Sequence, residues 1–432
     1  MSQSPIIYWF RNDLRLHDNP ALVTALETGH AVIPVFIFED LWYNSDFYIG
    51  FPRTGDKRKQ FLAESLLNLQ RNLKERGSNL LILKGDTKEI IPKIAKHFNA
   101  LKVVAQKEAA WEEISIERQV ADKVQLDLIW GSMLYQPDQV DFPVEKSPFY
   151  YTKFKNKVLE HPFSPSPVST PGKLFSPSGN SIPEGIETFN PDSLIVSEEP
   201  VLKGGESEGL NRMENYFTER GPQHYGETRN QFQGHNFSSK LGSWLANGTL
   251  SPRLFFSRLK EEQEEHPEKQ ENIQPLLEQL IWRDYFRFLF LRYGRKLFTV
   301  KGLRKTEPSM YDDMEAFEKW KNAKTEQPLI DALMNELNET GFMSNRGRML
   351  VSFYLSKEMQ VNWQWGAAWF ENRLIDYDVY CNYGNWAYQS GRGTDSRVNR
   401  KFNLQTQLNK FDPKGTFVER WNPGHQNLQL EF

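Results

Sequence analysis

Cysteine is almost missing. Cys381 is the single thiol in 432 residues, which excludes an intrachain disulfide framework and any cysteine-rich zinc or iron–sulfur site. Metal chemistry is not expected. No apolar run approaches the ~18 residues a membrane span needs, and mean hydropathy is −0.63, so no membrane partner is expected. Charge of one sign is also lacking: 53 basic against 56 acidic residues leave −3. The chain as a whole therefore advertises no polyanion partner, although such an average conceals local basic patches. Met1 to Phe10 leads straight into an apolar segment without the basic region, apolar core and small-residue cleavage site of a secretory signal. A cytoplasmic location is the expectation. No glycine-rich phosphate loop follows Phe10, which weakens a reading as a simple nucleotide-binding α/β protein.

What the chain has in abundance is aromatic residues, 13% of the total with 12 tryptophans. Its length implies two or three domains of roughly 100–200 residues. Proline divides it, because 11 of 24 prolines lie between Pro137 and Pro200 among many serines, a composition typical of a connection. A structureless loop of that length is uncommon. The segment is expected to lie along both domains and to hold a short helix around Phe149 to Leu159. The division is residues 1–132, 133–205 and 206–432.

Before the linker, Ile6 to Phe10, Ala31 to Phe38, Leu80 to Leu83, Leu101 to Val104 and Leu126 to Trp130 have strand length and β-branched content. Helical patterns separate them. One has Asn19 as N-cap and Pro20 at its first position; another opens at Asp86 with Glu89 three residues on, a capping-box spacing. Alternating strands and helices imply a Rossmann-like parallel sheet covered on both faces, with ligands outside the carboxyl ends of its strands. After about Glu206 the period turns helical: Leu276, Leu277, Leu280, Ile281, Phe288 and Leu289 recur at threes and fours up to Gly294, Pro328 and Gly341 bracket another helix, and a further one runs from about Arg348 through Leu355. Glu261 to Glu271 reads as a solvated helix face. The fold class is α/β followed by all-α.

Polar groups embedded in apolar sequence need partners or a ligand. Asp376, Asp378 and Asn382 lie between Trp369 and Trp386, with Asn345 and Arg348 on another helical segment. Carboxylates accept from the ring N–H groups of a flat heterocycle, and an arginine pins a carboxylate; a helix-end polar network explains the same residues equally well. Ser238, Ser239 and Lys240, leading to Thr249, Ser251, Pro252 and Arg253, offer hydroxyls and N–H groups near a helix start, where phosphate is favoured, although plain helix caps are commoner.

WFRNDLRLHDNPAL (Trp9 to Leu22), NFSSKLGSWLANGTLSPR (Asn236 to Arg253), LIWRDYFRF (Leu280 to Phe288), GFMSNRGRM (Gly341 to Met349) and the stretch from Asp376 to Trp421 together resemble the photolyase and cryptochrome superfamily over nearly the whole chain. NYGNW (Asn382 to Trp386) followed by GTDSRVNRKFN (Gly393 to Asn403) is similar to the DASH-type cryptochromes. The resemblance implies a helical C-terminal domain holding FAD, an N-terminal domain associated with an antenna pigment, and light-driven repair of cyclobutane pyrimidine dimers, preferentially in single-stranded DNA, by a monomer.

Residue by residue, it implies that Tyr225, Ser238, Ser239, Lys240 and Leu241 contact the FAD phosphates and their surroundings, that Asp376 pairs with Arg348, that Asp378 binds the polar edges of flavin and adenine, and that Asn345 lies against the flavin. Asn382 matches the position facing flavin N5. Trp282, Met349 and Tyr388 match the lining of the pocket for a flipped dimer, with Gln279 beside them; Arg229 and Gln407 match DNA-contacting positions. Trp386 and Trp363 match the inner two of three relay tryptophans. The antenna is expected to be methenyltetrahydrofolate, with Glu112 as a contact unless Trp111 fills part of that site. Cations expected around the pocket mouth are Arg229, Arg283, Arg346, Arg392, Arg397 and Lys401.

Three positions depart from the family. Gln279 stands where repair photolyases usually carry glutamate, with Glu278 beside it; Gly242 ends the serine run and leaves a backbone donor; Met310, followed by Tyr311, occupies the outer relay position, where Trp320 is a further substitute. A blue-light sensor without repair uses the same cofactor positions. Signalling members usually extend well past the shared region, whereas about eleven residues follow Trp421 here, and the expectation is repair.

Overall fold

The computed structural model describes residues 4–161, 163–174, 176, 182–304, 309–397 and 401–423. The N-terminal half contains β1 (Ile6–Phe10), α1 (Pro20–Glu27), β2 (Val32–Glu39), α2 (Asp40–Tyr43), β3 (Asp46–Phe47), β4 (Phe51–Pro52), α3 (Asp56–Glu75), β5 (Leu81–Gly85), α4 (Thr87–His97), β6 (Lys102–Gln106), α5 (Trp111–Ala121) and β7 (Leu126–Ile129). The connection supplies α6 (Tyr151–Glu160) and β8 (Glu187–Thr188). The sheet runs β7-β6-β1-β2-β5-β8, parallel except for β8 at its edge. Every residue of β1 and β2 is buried, as expected where helices cover both faces of a parallel sheet. The five sequence-derived strands are present with ends moved by a residue or two. Asn19 accepts from the Leu22 N–H at the start of α1.

The capping box at α4 is not formed. Asp86 accepts from the Lys88 N–H, but Glu89 points outward to Lys123 at 2.8 Å. The connection also does more than join: α6 buries Phe154 and Val158 in the helical core, while β8 pairs with β5.

The C-terminal half contains α7 (Glu206–Thr218), α8 (Tyr225–Thr228), α9 (Gly242–Ala246), α10 (Pro252–Glu265), α11 (Gln270–Tyr293), α12 (Met314–Lys321), α13 (Pro328–Thr340), α14 (Asn345–Phe353), α15 (Trp363–Arg373), α16 (Val379–Gln389), α17 (Leu404–Phe411) and α18 (Thr416–Trp421). Gly294 and Gly341 follow α11 and α13 with positive φ, the conformation glycine adopts without a Cβ penalty. α14 starts three residues before the expected Arg348 because Ser344 caps it, accepting from the Gly347 N–H. In the acidic run Glu262 is an exception: it is buried and accepts from Gln223 Nε2. Among the described residues no helix is long and apolar enough to cross a membrane.

The halves are joined by buried charge. Arg253 meets Asp18 at 2.9 Å, and Ser251, which caps α10, also donates to Asp18. Glu206 accepts from the N–H groups of Leu16 and His17. Asp284 on α11 accepts from the N–H groups of Leu134 and Tyr135; burial first of all pushes its carboxyl up to about 7. Ser251 and Arg253 therefore belong to a helix cap and a domain junction, and the Thr249 hydroxyl is turned to Asn247 Oδ1 and the Trp244 carbonyl within its own loop.

Candidate active site

Two cavities meet near the carboxyl ends of the sheet. One, of about 530 Å³, lies within the helical half. Its wall gathers Tyr225 and Arg229, Ser238 to Gly242, Gln279, Trp282 and Arg283 on α11, Asn345, Arg348 and Met349 on α14, Asp376 to Asp378, and Asn382, Trp386 and Tyr388 on α16. All ten cofactor positions implied by the sequence resemblance line it, although they come from five separate stretches of chain.

Arg348 Nη2 holds both oxygens of Asp376, at 3.0 and 2.9 Å, and its Nε donates to the Met343 carbonyl. A Cβ on Gly242 would lie 2.8 Å from Asp376 Oδ2. The departure at Gly242 thus has a local cause: only glycine lets α9 approach that carboxylate so closely.

Asp378 is the N-cap of α16. Oδ1 accepts from the Cys381 N–H at 2.9 Å, and Oδ2 accepts from Arg287 Nη2 at 2.9 Å with Arg283 Nη2 3.8 Å away. Burial alone would raise this carboxyl; Arg287, Arg283 and the Cys381 N–H outweigh it and hold it below the usual range. Asp378 is therefore first a counter-charge for two buried arginines, and a bound heterocycle can use only its remaining lone pairs. Arg287 was not singled out in the sequence, yet two arginines one turn apart in the apolar α11 already required an acid.

Asn382 is buried and its Nδ2 donates to the Ala367 carbonyl, leaving Oδ1 as the acceptor it offers the cavity. Lys240 has φ +57° and donates to the Gly234 carbonyl. Arg212, also missed in the sequence, holds the Ser239 carbonyl and Asn236 Oδ1. Arg283 Nη1 is buried without a protein acceptor. Such a lining, with hydroxyls at one end, an unfilled donor and an amide acceptor at the other, fits a flat heterocycle carrying phosphates.

The mouth is aromatic. Trp282 stands edge-on to Tyr388 at 5.8 Å, while Tyr151 of α6 stacks on it at 3.6 Å. Half of the expected stacking surface is thus already used, by a residue from the linker that local sequence did not reveal. Glu278 does not line the cavity; it pairs with Lys155 at 2.9 Å, so the pocket keeps Gln279 without a neighbouring acid. Two of the expected mouth cations need correction. Arg392 is only 2% exposed, and Arg283 turns inward to Asp378 and the Leu245 carbonyl. Arg397 and Lys401 are exposed, and Arg229 and Arg346 partly so. Gln407 lies on α17 outside the cavity lining.

Trp386 is buried against Trp320 (6.0 Å between ring centres) and Phe370 (5.1 Å). Trp363 is fully buried, donates to the Val300 carbonyl and meets Tyr383 at 6.4 Å. Met310 is partly buried and Tyr311 is exposed.

The second cavity, about 690 Å³, opens between the halves and is lined by Trp42, Arg53, Trp111, Glu112, Glu113, Arg295, Glu371 and Tyr383 among others. Glu112 is there, but Arg53 grips its carboxylate at 3.0 and 3.2 Å and also reaches Glu371 at 2.9 Å. Trp111 lies under Arg295. Burial, then Glu108, pushes the Glu113 carboxyl up to about 8, leaving it protonated at neutral pH.

Residues 276–432 match the FAD binding domain of DNA photolyase, and residues 6–171 match the DNA photolyase family. The chain is 40% identical over 427 residues to the chloroplastic/mitochondrial cryptochrome DASH of Arabidopsis thaliana, covering 96% of this chain and 75% of that protein. The crystal structure of a Synechocystis cryptochrome superposes with TM-score 0.92 at 37% identity, over 99% of this chain and 91% of that one. An archaeal photolyase from Sulfolobus tokodaii, described as containing two FAD molecules and implying a novel light-harvesting cofactor, gives TM-score 0.80 at 27% identity over 98% and 91%.

Proposed function

Since the chain belongs to the photolyase and cryptochrome family, with DASH-type relatives over nearly its whole length, we propose that it repairs cyclobutane pyrimidine dimers under blue light, preferentially in single-stranded DNA, with FAD in the 530 Å³ cavity. The observation that carries this reading is the convergence of the cofactor positions and the dimer-pocket residues Trp282, Met349 and Tyr388 on one wall. When bound, FAD would supply a light-driven one-electron donor. Ser238, Ser239 and Lys240 would hold its phosphates, Asp376 and Arg348 its flank, and Asn382 the ring edge. Trp282 and Tyr388 would receive the extruded bases, with Tyr151 either swinging aside or bracing Trp282 from behind.

Charge supports the preference for single strands. With Arg283 and Arg392 turned inward, four of the six expected mouth cations remain for phosphate. Few phosphate contacts give little energy to offset the few kcal/mol needed to extrude bases from a duplex, whereas a dimer in a single strand is already largely unpaired. Reduced, illuminated protein is expected to clear dimers from single-stranded oligonucleotides well ahead of duplex, with a log–log salt slope no steeper than about −3 at ~0.7 per phosphate. Trp282→Ala should weaken lesion binding by about 1–3 kcal/mol while retaining FAD. Dimers left intact in single strands, with undamaged DNA bound equally well, would replace this reading by the sensor reading.

For the inter-domain cleft our reading is a methenyltetrahydrofolate antenna beside Glu112 and the protonated Glu113, which offers an O–H donor. Glu112 can take part only through lone pairs that Arg53 leaves. Purified protein is expected to show a near-ultraviolet band that disappears with the folate. Stoichiometric FMN, deazaflavin or a second FAD in the cleft would overturn the folate assignment.

A further inference from the structure

We propose that Tyr151, in the segment connecting the two halves, is a positioning residue for lesion recognition: it braces Trp282 from behind and so fixes the right-angled corner that Trp282 and Tyr388 present to the two bases of a dimer. The proposal rests on the repair reading of the helical-half cavity.

The side on which Tyr151 lies decides its role. Trp282 and Tyr388 both line the cavity, and Tyr151 does not. Its ring stacks on Trp282 at 3.6 Å with 13° between the planes, so it covers the indole face turned away from the cavity and leaves the other face free. The segment is also fastened down. The Tyr151 hydroxyl donates to the Glu278 carbonyl at 2.8 Å, and Lys155, one turn on, meets the Glu278 carboxylate at 2.9 Å. One residue of α11 is thus gripped by backbone and side chain together. Phe154, between them on α6, is fully buried against Tyr285 and Phe288. On the other side of Tyr151, the Phe149 carbonyl accepts from the Tyr285 hydroxyl at 2.6 Å. Burial, then the Glu278 carboxylate, raises the Tyr151 phenol above its usual value, which keeps it a neutral donor.

A fixed indole plane matters because of the shape of the lesion. A cyclobutane ring makes C5 and C6 of both bases tetrahedral, so the two base planes are inclined to each other, whereas undamaged neighbours stack in parallel. The rings of Trp282 and Tyr388 stand at 90° with centres 5.8 Å apart, a corner that meets inclined planes better than parallel ones. Tyr285, at 82°, and Phe286, at 39°, also touch Trp282, but neither lies parallel to it. The Tyr151 ring does, and a parallel contact resists rotation of the indole plane. A platform already held in its bound orientation spares part of the ordering cost of binding.

The test uses flavin-loaded protein and single-stranded oligonucleotides with and without one dimer. Tyr151→Leu, which keeps bulk but not a flat ring, should lose severalfold of the preference for the dimer-containing strand, with flavin content unchanged. Repair per absorbed photon at saturating DNA should also be unchanged. Tyr151→Phe, which keeps the ring, should restore the preference. Tyr151→Met, a more pliable filler, carries the same prediction as leucine should leucine reduce flavin content. In a Trp282→Ala background Tyr151→Leu should cost nothing further, since the brace acts only through that indole. An unchanged preference in Tyr151→Leu, or an undiminished further loss in the Trp282→Ala background, would overturn the proposal. A DNA-free arm separates it from the repair reading. In fluorotryptophan-labelled protein the Trp282 resonance is the one missing from Trp282→Ala, and its fluorine relaxation should report added ring motion in Tyr151→Leu and not in Tyr151→Phe. If wild-type protein shows no preference for dimers, the repair reading falls and this arm alone judges the brace: added motion supports it, and an equally rigid Trp282 overturns it.

Discussion

Asp378→Ala is expected to release FAD and to cost about 3–5 kcal/mol of stability, because it leaves a buried arginine without its counter-charge. Arg287 has 4% side-chain exposure and Arg283 11%, so both are largely withheld from bulk water. Loss of the α16 cap adds about 1 kcal/mol. The damage should spread to the domain junction, since Arg287 lies over the ring of Tyr380, whose hydroxyl donates to Glu108 at 2.7 Å at the end of β6. Asp378→Asn keeps the cap acceptor without the charge and should fall between. Combining Asp378→Ala with Arg287→Met should recover part of the loss by removing the orphaned cation. The acid limb provides a further check. A carboxyl held below its ordinary value contributes stability that is present above its unfolded-state pKa, about 3.9, and is lost as pH falls through the lower folded-state value. Urea unfolding of flavin-free protein across that range should show this loss in the wild type and not in Asp378→Asn. An alanine variant that keeps its flavin and unfolds at the wild-type urea concentration would refute the counter-charge role.

Trp386→Phe is expected to slow photoreduction by an order of magnitude or more, given that each ~1.4 kcal/mol added to a barrier is tenfold in rate, while leaving FAD bound. Trp386 is an indole of the cavity wall packed edge-on against Trp320, and it stands at the innermost relay position that the resemblance implies. Its ring lies against Gly366, where a Cβ would come within 2.2 Å, and the smaller phenyl ring fits the same slot. Met310→Trp should speed photoreduction by restoring an oxidisable ring at the outer relay position. Dimer repair by protein reduced beforehand should be unaffected by either change. Equal photoreduction in all three proteins would mean that electrons enter without Trp386.

Local patterning determined the elements. The apolar runs that became β1 and β2, the Asn19 and Pro20 start of α1, the Pro328 to Gly341 span of α13 and the heptad-like apolar spacing of α11 are decided by interactions over a few residues, which sequence periodicity reports directly. The ten positions that the family resemblance implies for a cofactor come together on the wall of one cavity. The capping box at Glu89 and the outward aim of Arg283 and Arg392 failed for a common reason: each side chain had a choice of partners, and distant chain made that choice; the commoner cap reading of Ser251 held. Asp18 lies 235 positions from Arg253, Asp378 91 from Arg287 and Tyr48 317 from Trp365. Sequence alone therefore determined the family to which the chain belongs and the helices and strands on which its candidate site residues lie. Tertiary structure decided which charges are buried counter-ions, which remain exposed near the cavity mouth, and which aromatic rings touch, because burial and the desolvation cost of each polar group are properties of the packed whole.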